Sequence, residues 1–505
     1  MTLFRTFAAT VFLLLSPLTS EAAGDRIGLV IGMSQYDNIP DLKNTVNDAR
    51  LISETLDGIG FKVTTLMDAS MAELMDTIDD FSFRSETADL ALIYFAGHGV
   101  EVEGENFLVP VDADVRSNRD IQRQSVSLSQ LLTAVDRARK MRIVILDSCR
   151  NNPFGDALAR SEPGQGTAQG TDNNNGADLR SSAGGLAVPS PDRGTMVAFA
   201  ARDGQVALDG EGDNSPFALA LAQTLARPGL EISLMFRQVR DQVLASTYNL
   251  QEPYTYGSLT SIPFYLAGPA EGSEAVDIAD PSVAWTKIRP DQEVQMAALA
   301  QGGDTRSMLG LAYMRLNPEG SRFDPSEALD YLSRAAAAGS PEAQFELAKL
   351  YERGIGTAQD PARALALYRA AADQDFADAI NDLGFMNYQG LLGLPQNPGK
   401  ALALFERAAD LRHPQAMFNF AALIDDGLIP SKSLEDAAGY LYQALRSGST
   451  DVLNLLSDRP TMFKLETRQA LQRRLRDNEF YDGTIDGDFG PGTQRGIRLA
   501  YGLTG

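Results

Sequence analysis

The chain is poor in the residues that usually announce chemistry. It has one cysteine, two histidines and one tryptophan in 505 residues. A single thiol cannot form an internal disulfide, so a disulfide framework is excluded. Basic residues are also scarce: 44 Lys and Arg stand against 67 Asp and Glu, a formal charge of −23. That balance argues against nucleic acid, which needs clustered cations for its phosphates. It suits a soluble chain or cationic substrates. Long apolar runs are missing too. The best of them, Phe7 to Leu15, is cut short by Pro17, well below the ~20 residues of a membrane span.

That run follows Arg5 and precedes Ser20-Glu21-Ala22-Ala23. A short basic start, an apolar stretch and small residues for cleavage read as an export signal over residues 1–23, with a retained anchor as the alternative. The expected location is therefore the periplasm or cell envelope, with no span in the mature chain. In such an oxidising compartment a lone cysteine is a liability unless it is buried or chemically employed.

At this length about three domains are expected. In residues 24–268, apolar strand-like runs (Ile27–Gly32, Phe61–Leu66, Leu90–Phe95, Ile143–Leu146, Thr195–Ala200) alternate with helix-periodic segments (Asn44–Leu56, Met71–Phe81, Leu128–Arg139, Pro216–Leu225, Glu231–Leu244). This order predicts a mostly parallel sheet flanked by helices. Glu103-Gly104-Glu105 predicts a hairpin turn. Residues 155–193, rich in Gly, Ser, Asn and Pro, predict a long mobile loop, and 269–290 a linker.

Residues 291–458 repeat. Ala328, Ala364, Ala401 and Ala437 are spaced by 36, 37 and 36 residues. Ala343, Ala379 and Ala416 recur likewise, and Asp324-Pro325, Asp360-Pro361 and Asn397-Pro398 mark equivalent helix starts. The pattern resembles Sel-like repeats of the tetratricopeptide type. It implies an all-α solenoid that binds a protein partner. His413 falls in a turn between paired helices, without a second ligand or nucleophile beside it. Residues 459–505 contain Tyr481-Asp482-Gly483 and Ile485-Asp486-Gly487. They resemble a small α-helical peptidoglycan-binding domain, although Ala500-Tyr501 stands where that family usually has Phe-Gln. A capping module for the repeats is the alternative.

Two strand-like runs end on chemistry. Leu90–Phe95 leads into Ala96-Gly97-His98-Gly99, and Ile143–Leu146 into Asp147-Ser148-Cys149-Arg150. Open α/β sheets carry their sites at such carboxyl ends. His98 precedes Cys149 by 51 residues, room for a crossover between neighbouring parallel strands. A thiolate attacks well when a base stands beside it. Backbone N–H groups of Gly99 and Cys149 would hold an oxyanion, with Gly97 and Gly99 allowing close approach.

These motifs resemble the caspase and metacaspase superfamily, peptidase family C14, and above all its metacaspase-like bacterial members, over about Arg26 to Leu266. The resemblance implies a caspase-like sandwich and a cysteine endopeptidase, with Cys149 as nucleophile and His98 as base and then acid. It implies that Asp147, together with Asp48 of Asn47-Asp48-Ala49, lines a pocket for Arg or Lys, since carboxylates pair well with guanidinium and ammonium. Ala96 and Thr45 replace a serine and a cysteine common in that family. Such enzymes often cut themselves, which points to Arg160 and Arg180 in the 155–193 loop. No cofactor is expected. Calcium is left open, because some metacaspases need it and residues 203–213 are acidic, although they carry no EF-hand pattern. The rival reading is a non-catalytic adaptor acting through its repeats.

Overall fold

The computed structural model describes residues 26–148, 194–202, 205–259, 262–268 and 284–503. The expected signal peptide, Cys149, the 155–193 loop with Arg160 and Arg180, and Asp203 lie outside them. The first region runs β1 (Arg26–Gly32), α1 (Thr45–Gly58), β2 (Lys62–Met67), α2 (Met71–Ser85), β3 (Leu90–Ala96), β4 (Gly99–Val102), β5 (Glu105–Leu108), α3 (Asn118–Gln124), β6 (Val126–Ser127), α4 (Leu128–Val135), β7 (Met141–Asp147), β8 (Thr195–Phe199), α5 (Pro216–Leu225), α6 (Ile232–Ser246) and β9 (Tyr254–Ser258). Six strands form one sheet in the order β2-β1-β3-β7-β8-β9. All pairs are parallel except β8–β9.

The central strands are apolar throughout because helices cover both of their faces. Every residue of β3 is buried. One face packs against α1, α5 and α6, and the other against α2 and α4. The predicted hairpin is present: β4 and β5 pair across Glu103 and Gly104, both at positive φ (53° and 85°). Such a pair of left-handed residues matches the twist of the two strands. This hairpin and β6 make a separate three-stranded sheet.

The second region is helical: α7 (Pro290–Gln301), α8 (Thr305–Leu316), α9 (Pro325–Ala337), α10 (Pro341–Arg353), α11 (Pro361–Ala372), α12 (Ala377–Gln389), α13 (Pro398–Asp410), α14 (Pro414–Asp425), α15 (Leu434–Arg446) and α16 (Thr450–Asp458). The predicted Pro starts are real. Asp324, Asp360 and Asn397 each cap their helix, accepting from backbone N–H groups two or three residues on. The recurrent alanines are fully buried at Ala328, Ala343, Ala364, Ala379, Ala401, Ala416 and Ala437, where small side chains let paired helices approach. His413 is the N-cap of α14, its Nδ1 accepting from the Ala416 N–H at 3.2 Å.

Two helices complete the chain, α17 (Leu465–Asp477) and α18 (Pro491–Tyr501). The buried Gln472 braces the loop between them. It donates to Asp488 O and Thr493 Oγ1 and accepts from the Gly487 N–H at 2.6 Å.

Two expectations are corrected. The helix expected to reach Arg139 stops at Val135. The arginines beyond it are drawn elsewhere: Arg137 to Glu86, and Arg139 to the carbonyls of Arg446 and Tyr501. The expected linker also ends early. Trp285 is 1% exposed, and Gly310 leaves room for its indole. A lone tryptophan carries no periodicity, so composition alone misread it.

The helical array is fastened to the sheet domain near both of its ends. At one, Arg306 meets the buried Glu231 at 3.2 Å, and Arg237 meets Asp304. At the other, the buried Arg446 meets the buried Glu86 at 2.8 Å and donates to Ala500 O at 3.0 Å.

Candidate functional site

The site is built where β3 and β7 end side by side, with Ala96 opposite Asp147. The Gly97 N–H donates across to Asp147 O at 3.4 Å. A side chain at Gly97 would collide, because its Cβ would lie 2.7 Å from Phe95 Cζ and 2.8 Å from the Tyr36 hydroxyl. His98 stands two residues beyond β3. In the sequence Cys149 stands two residues beyond β7.

His98 is held on every side. Its N–H donates to the Tyr36 hydroxyl at 2.8 Å, and its carbonyl accepts from the Val109 N–H at 3.0 Å. Its ring lies 4.8 Å from the Tyr36 ring, with Nε2 at 2.8 Å from Pro40 O. A carbonyl can only accept, so Nε2 carries the hydrogen and Nδ1 carries the lone pair. Burial pushes the imidazole pKa below its ordinary value, with the Pro40 carbonyl acting weakly against it. The ring is thus a neutral base at Nδ1.

Gly99 opens β4 opposite Leu108. Just outside the ladder the Val109 N–H donates to His98 O, so His98 and Val109 share one bond of a bonded-type pair, the His98 N–H going to Tyr36 instead. Antiparallel pairs alternate, which turns the Gly99 N–H away from β5. That direction suits an oxyanion donor.

Asp48 and Asp147 come together through one residue, Ser215. The Ser215 hydroxyl donates to Asp147 Oδ2 at 2.8 Å, and its backbone N–H donates to Asp48 Oδ1 at 2.9 Å. Tyr94 adds a hydroxyl to Asp147 at 3.0 Å, and Asn214 an amide to Asp48 at 2.9 Å. Local sequence explains each position. Asp48 lies on α1, which lies tight against β1 because Ala49 is small: a Cβ on Gly32 would sit 2.7 Å from Ala49 Cβ. Thr45 ties the same helix to Met33 O at 2.6 Å. Ser215 is the N-cap of α5, and Pro216 follows at the first helical position.

Both carboxylates are buried, at 1% and 7% exposure. Among the described residues neither makes an ion pair. Burial, then the charge of Asp48, pushes Asp147 up to about 7. Burial also raises Asp48 to about 6, against the hydrogen bonds from Asn214 and Ser215. A third acid, Asp209, raises both. Its loop is fixed by Asn44, whose amide donates to Asp209 O at 2.6 Å and Gly212 O at 3.1 Å. Sequence reading missed Ser215, Tyr94 and Asp209, and saw the loop only as an acidic stretch with the calcium question left open. Among the described residues no group of three His, Cys, Asp or Glu is placed to hold a metal ion.

Comparison with known proteins agrees with this architecture. Residues 25–264 match the caspase domain of peptidase family C14. The chain carries a caspase-like domain. Residues 305–340, 341–376 and 377–413 each match a Sel1 repeat. Human mucosa-associated lymphoid tissue lymphoma translocation protein 1 is 31% identical over 139 residues, 27% of this chain and 16% of that protein. The mouse homologue aligns to the same extent. Chitin synthase regulator SKT5 of Saccharomyces cerevisiae is 41% identical over 83 residues, 16% of this chain and 12% of that protein. The chain thus spans less than a fifth of each of these relatives. A crystal structure of a Sel1 repeat protein from Oxalobacter formigenes aligns at 30% identity and TM-score 0.22, covering 23% of this chain and 88% of that one.

Proposed function

We propose that this chain is an exported cysteine endopeptidase that cleaves after arginine or lysine, with its repeats recruiting protein partners. The observation that carries the specificity is the buried Asp48–Ser215–Asp147 arrangement, two carboxylates beside the end of β7 without a cation among the described residues. A guanidinium or ammonium entering there would relieve their mutual repulsion and restore their ionised form.

In this reading His98 Nδ1 takes the Cys149 proton and the thiolate attacks the scissile carbonyl. The N–H groups of Gly99 and Cys149 stabilise the oxyanion. The imidazolium returns its proton to the leaving amine as the C–N bond breaks. Water, deprotonated by His98, then hydrolyses the thioester and frees Cys149. The same specificity directs self-cleavage to Arg160 or Arg180. The C-terminal helical pair is assigned to peptidoglycan, which sedimentation with purified cell-wall sacculi would check.

The test of the enzyme is a fluorogenic peptide panel with Arg, Lys or Asp before the scissile bond, with and without calcium, on wild type and Cys149→Ala. Turnover of the Arg and Lys peptides by wild type alone is expected. No turnover of any peptide would leave the adaptor reading in its place. Fragment masses of the two chains after incubation test self-cleavage, and identical fragments would rule it out.

A further inference from the structure

The chain between β1 and α1 is pinned at almost every step, and what it touches is His98. Three successive N–H groups around Tyr36 are bonded: Gln35 to Asp68 Oδ1 at 3.0 Å, Tyr36 to Asp41 Oδ1 at 2.9 Å and Asp37 to Val111 O at 2.9 Å. Leu42 closes the loop, its N–H donating to Ser34 O at 3.0 Å. Tyr36 itself is 8% exposed. Burial pushes its phenol above the ordinary value, so the hydroxyl stays neutral. That hydroxyl accepts the His98 N–H, just past the end of β3, and so satisfies a backbone donor outside the sheet. It lies so near the turn that a Cβ on Gly97 would meet it at 2.8 Å. The ring of the same side chain flanks the imidazole at 4.8 Å, tilted by 56°. One fixed side chain therefore touches both the backbone and the ring of the base.

We propose that Tyr36 is a positioning residue of this site, setting at once the direction of the His98 imidazole and, one residue on, of the Gly99 N–H. This rests on the proteolytic reading, in which those two groups are the base and an oxyanion donor. Without the hydroxyl, the His98 N–H loses its acceptor and the segment from Gly97 to Gly99 is free to shift. A misplacement of about 1 Å can slow a reaction about 100-fold, so a hydroxyl that meets no substrate still governs the rate.

The experiment uses the full chain, in which Cys149 is the sole thiol. Iodoacetamide followed by intact mass therefore reads the reactivity of that residue alone. At pH 7 wild type should alkylate faster than His98→Ala, as a thiol beside a base does. Tyr36→Phe keeps the ring and removes the acceptor. It should slow alkylation towards the His98→Ala rate and lower kcat for arginine peptides about tenfold, with KM unchanged. Tyr36→Leu, which removes the ring as well, should go further in the same direction. Ser85→Ala controls for general loosening of the fold. It deletes a buried hydroxyl at the end of α2 that donates to Ser82 O and Ala134 O, and both rates should stay at the wild-type level. Wild-type alkylation and kcat in Tyr36→Phe, or equal slowing by Ser85→Ala, would overturn the inference and leave the peptidase standing. Equal alkylation of wild type and His98→Ala would instead remove the base itself, and with it both the proteolytic reading and anything for Tyr36 to position.

Discussion

Two buried carboxylate sites lie at opposite ends of the same sheet and are treated in opposite ways. Beyond the carboxyl end of β7, Asp147 and Asp48 receive hydroxyl and amide donors but, among the described residues, no cation. Before the amino end of β3, Glu86 receives Arg446 at 2.8 Å and Arg137 as well. Both sites exclude water, so both incur the cost of burying charge. Among the described residues, only the second offsets it with a cation. A carboxylate neutralised by its own protein is a fastening, and one left without a cation is a place for something that arrives.

The largest effect should come from breaking the fastening. Arg446→Ala leaves Glu86 buried beside a single, largely exposed arginine and should lower unfolding stability by about 3–5 kcal/mol, measured by denaturant titration. Arg446→Met combined with Glu86→Gln should recover most of that loss. At the other site a substitution should harm function without harming stability. Asp147→Asn is expected to reduce kcat/KM for arginine peptides by about 10- to 100-fold, the scale of one lost charged hydrogen bond, with no fall in melting temperature.

Acid sharpens the contrast. Asp147 and Asp48 have folded pKa values raised to about 7 and about 6 from the ordinary aspartate value of 3.8. Between pH 4 and 7 the folded state therefore binds more protons than the unfolded one, and their contribution to stability falls as pH rises. Lowering pH from 7.5 to 5 should stabilise wild type relative to the Asp48→Asn, Asp147→Asn double variant, seen by thermal unfolding. Over the same interval KM for arginine peptides should rise as the pocket loses charge. The smallest effect belongs to the residue that joins the two acids. Ser215→Ala removes a helix cap worth about 1 kcal/mol and one donor to Asp147. The acid limb of the KM profile should move to higher pH.

How much of this was legible in sequence follows from how each feature is encoded. Strands buried on both faces read as continuous apolar runs, so β1, β3 and β7 stood out. Repeats announced themselves by the period of their alanines. His98 and Asp48 were singled out because each sits in a short motif at an element end. Ser215 and Tyr94 were not, because a serine before a proline reads as an ordinary cap and a tyrosine in a buried run reads as core. Their role comes from contacts 68 and 53 residues distant in sequence. The same distance hid Arg139 and Arg446, 307 residues apart, whose pairing no local pattern records. Trp285 looked like linker because its partners, Arg306 and Gly310, lie beyond α7, in α8.

The central claim is that an uncompensated pair of carboxylates selects a cationic side chain for attack by Cys149. Its most direct measurement compares kcat/KM for two peptides that differ only in arginine or its neutral isostere citrulline before the scissile bond. The account predicts a preference for arginine of about 100-fold or more in wild type. It also predicts collapse of that preference in the Asp48→Asn, Asp147→Asn chain, and no turnover of either peptide by Cys149→Ala. Equal turnover of arginine and citrulline by wild type, or a preference that survives loss of both acids, would contradict it.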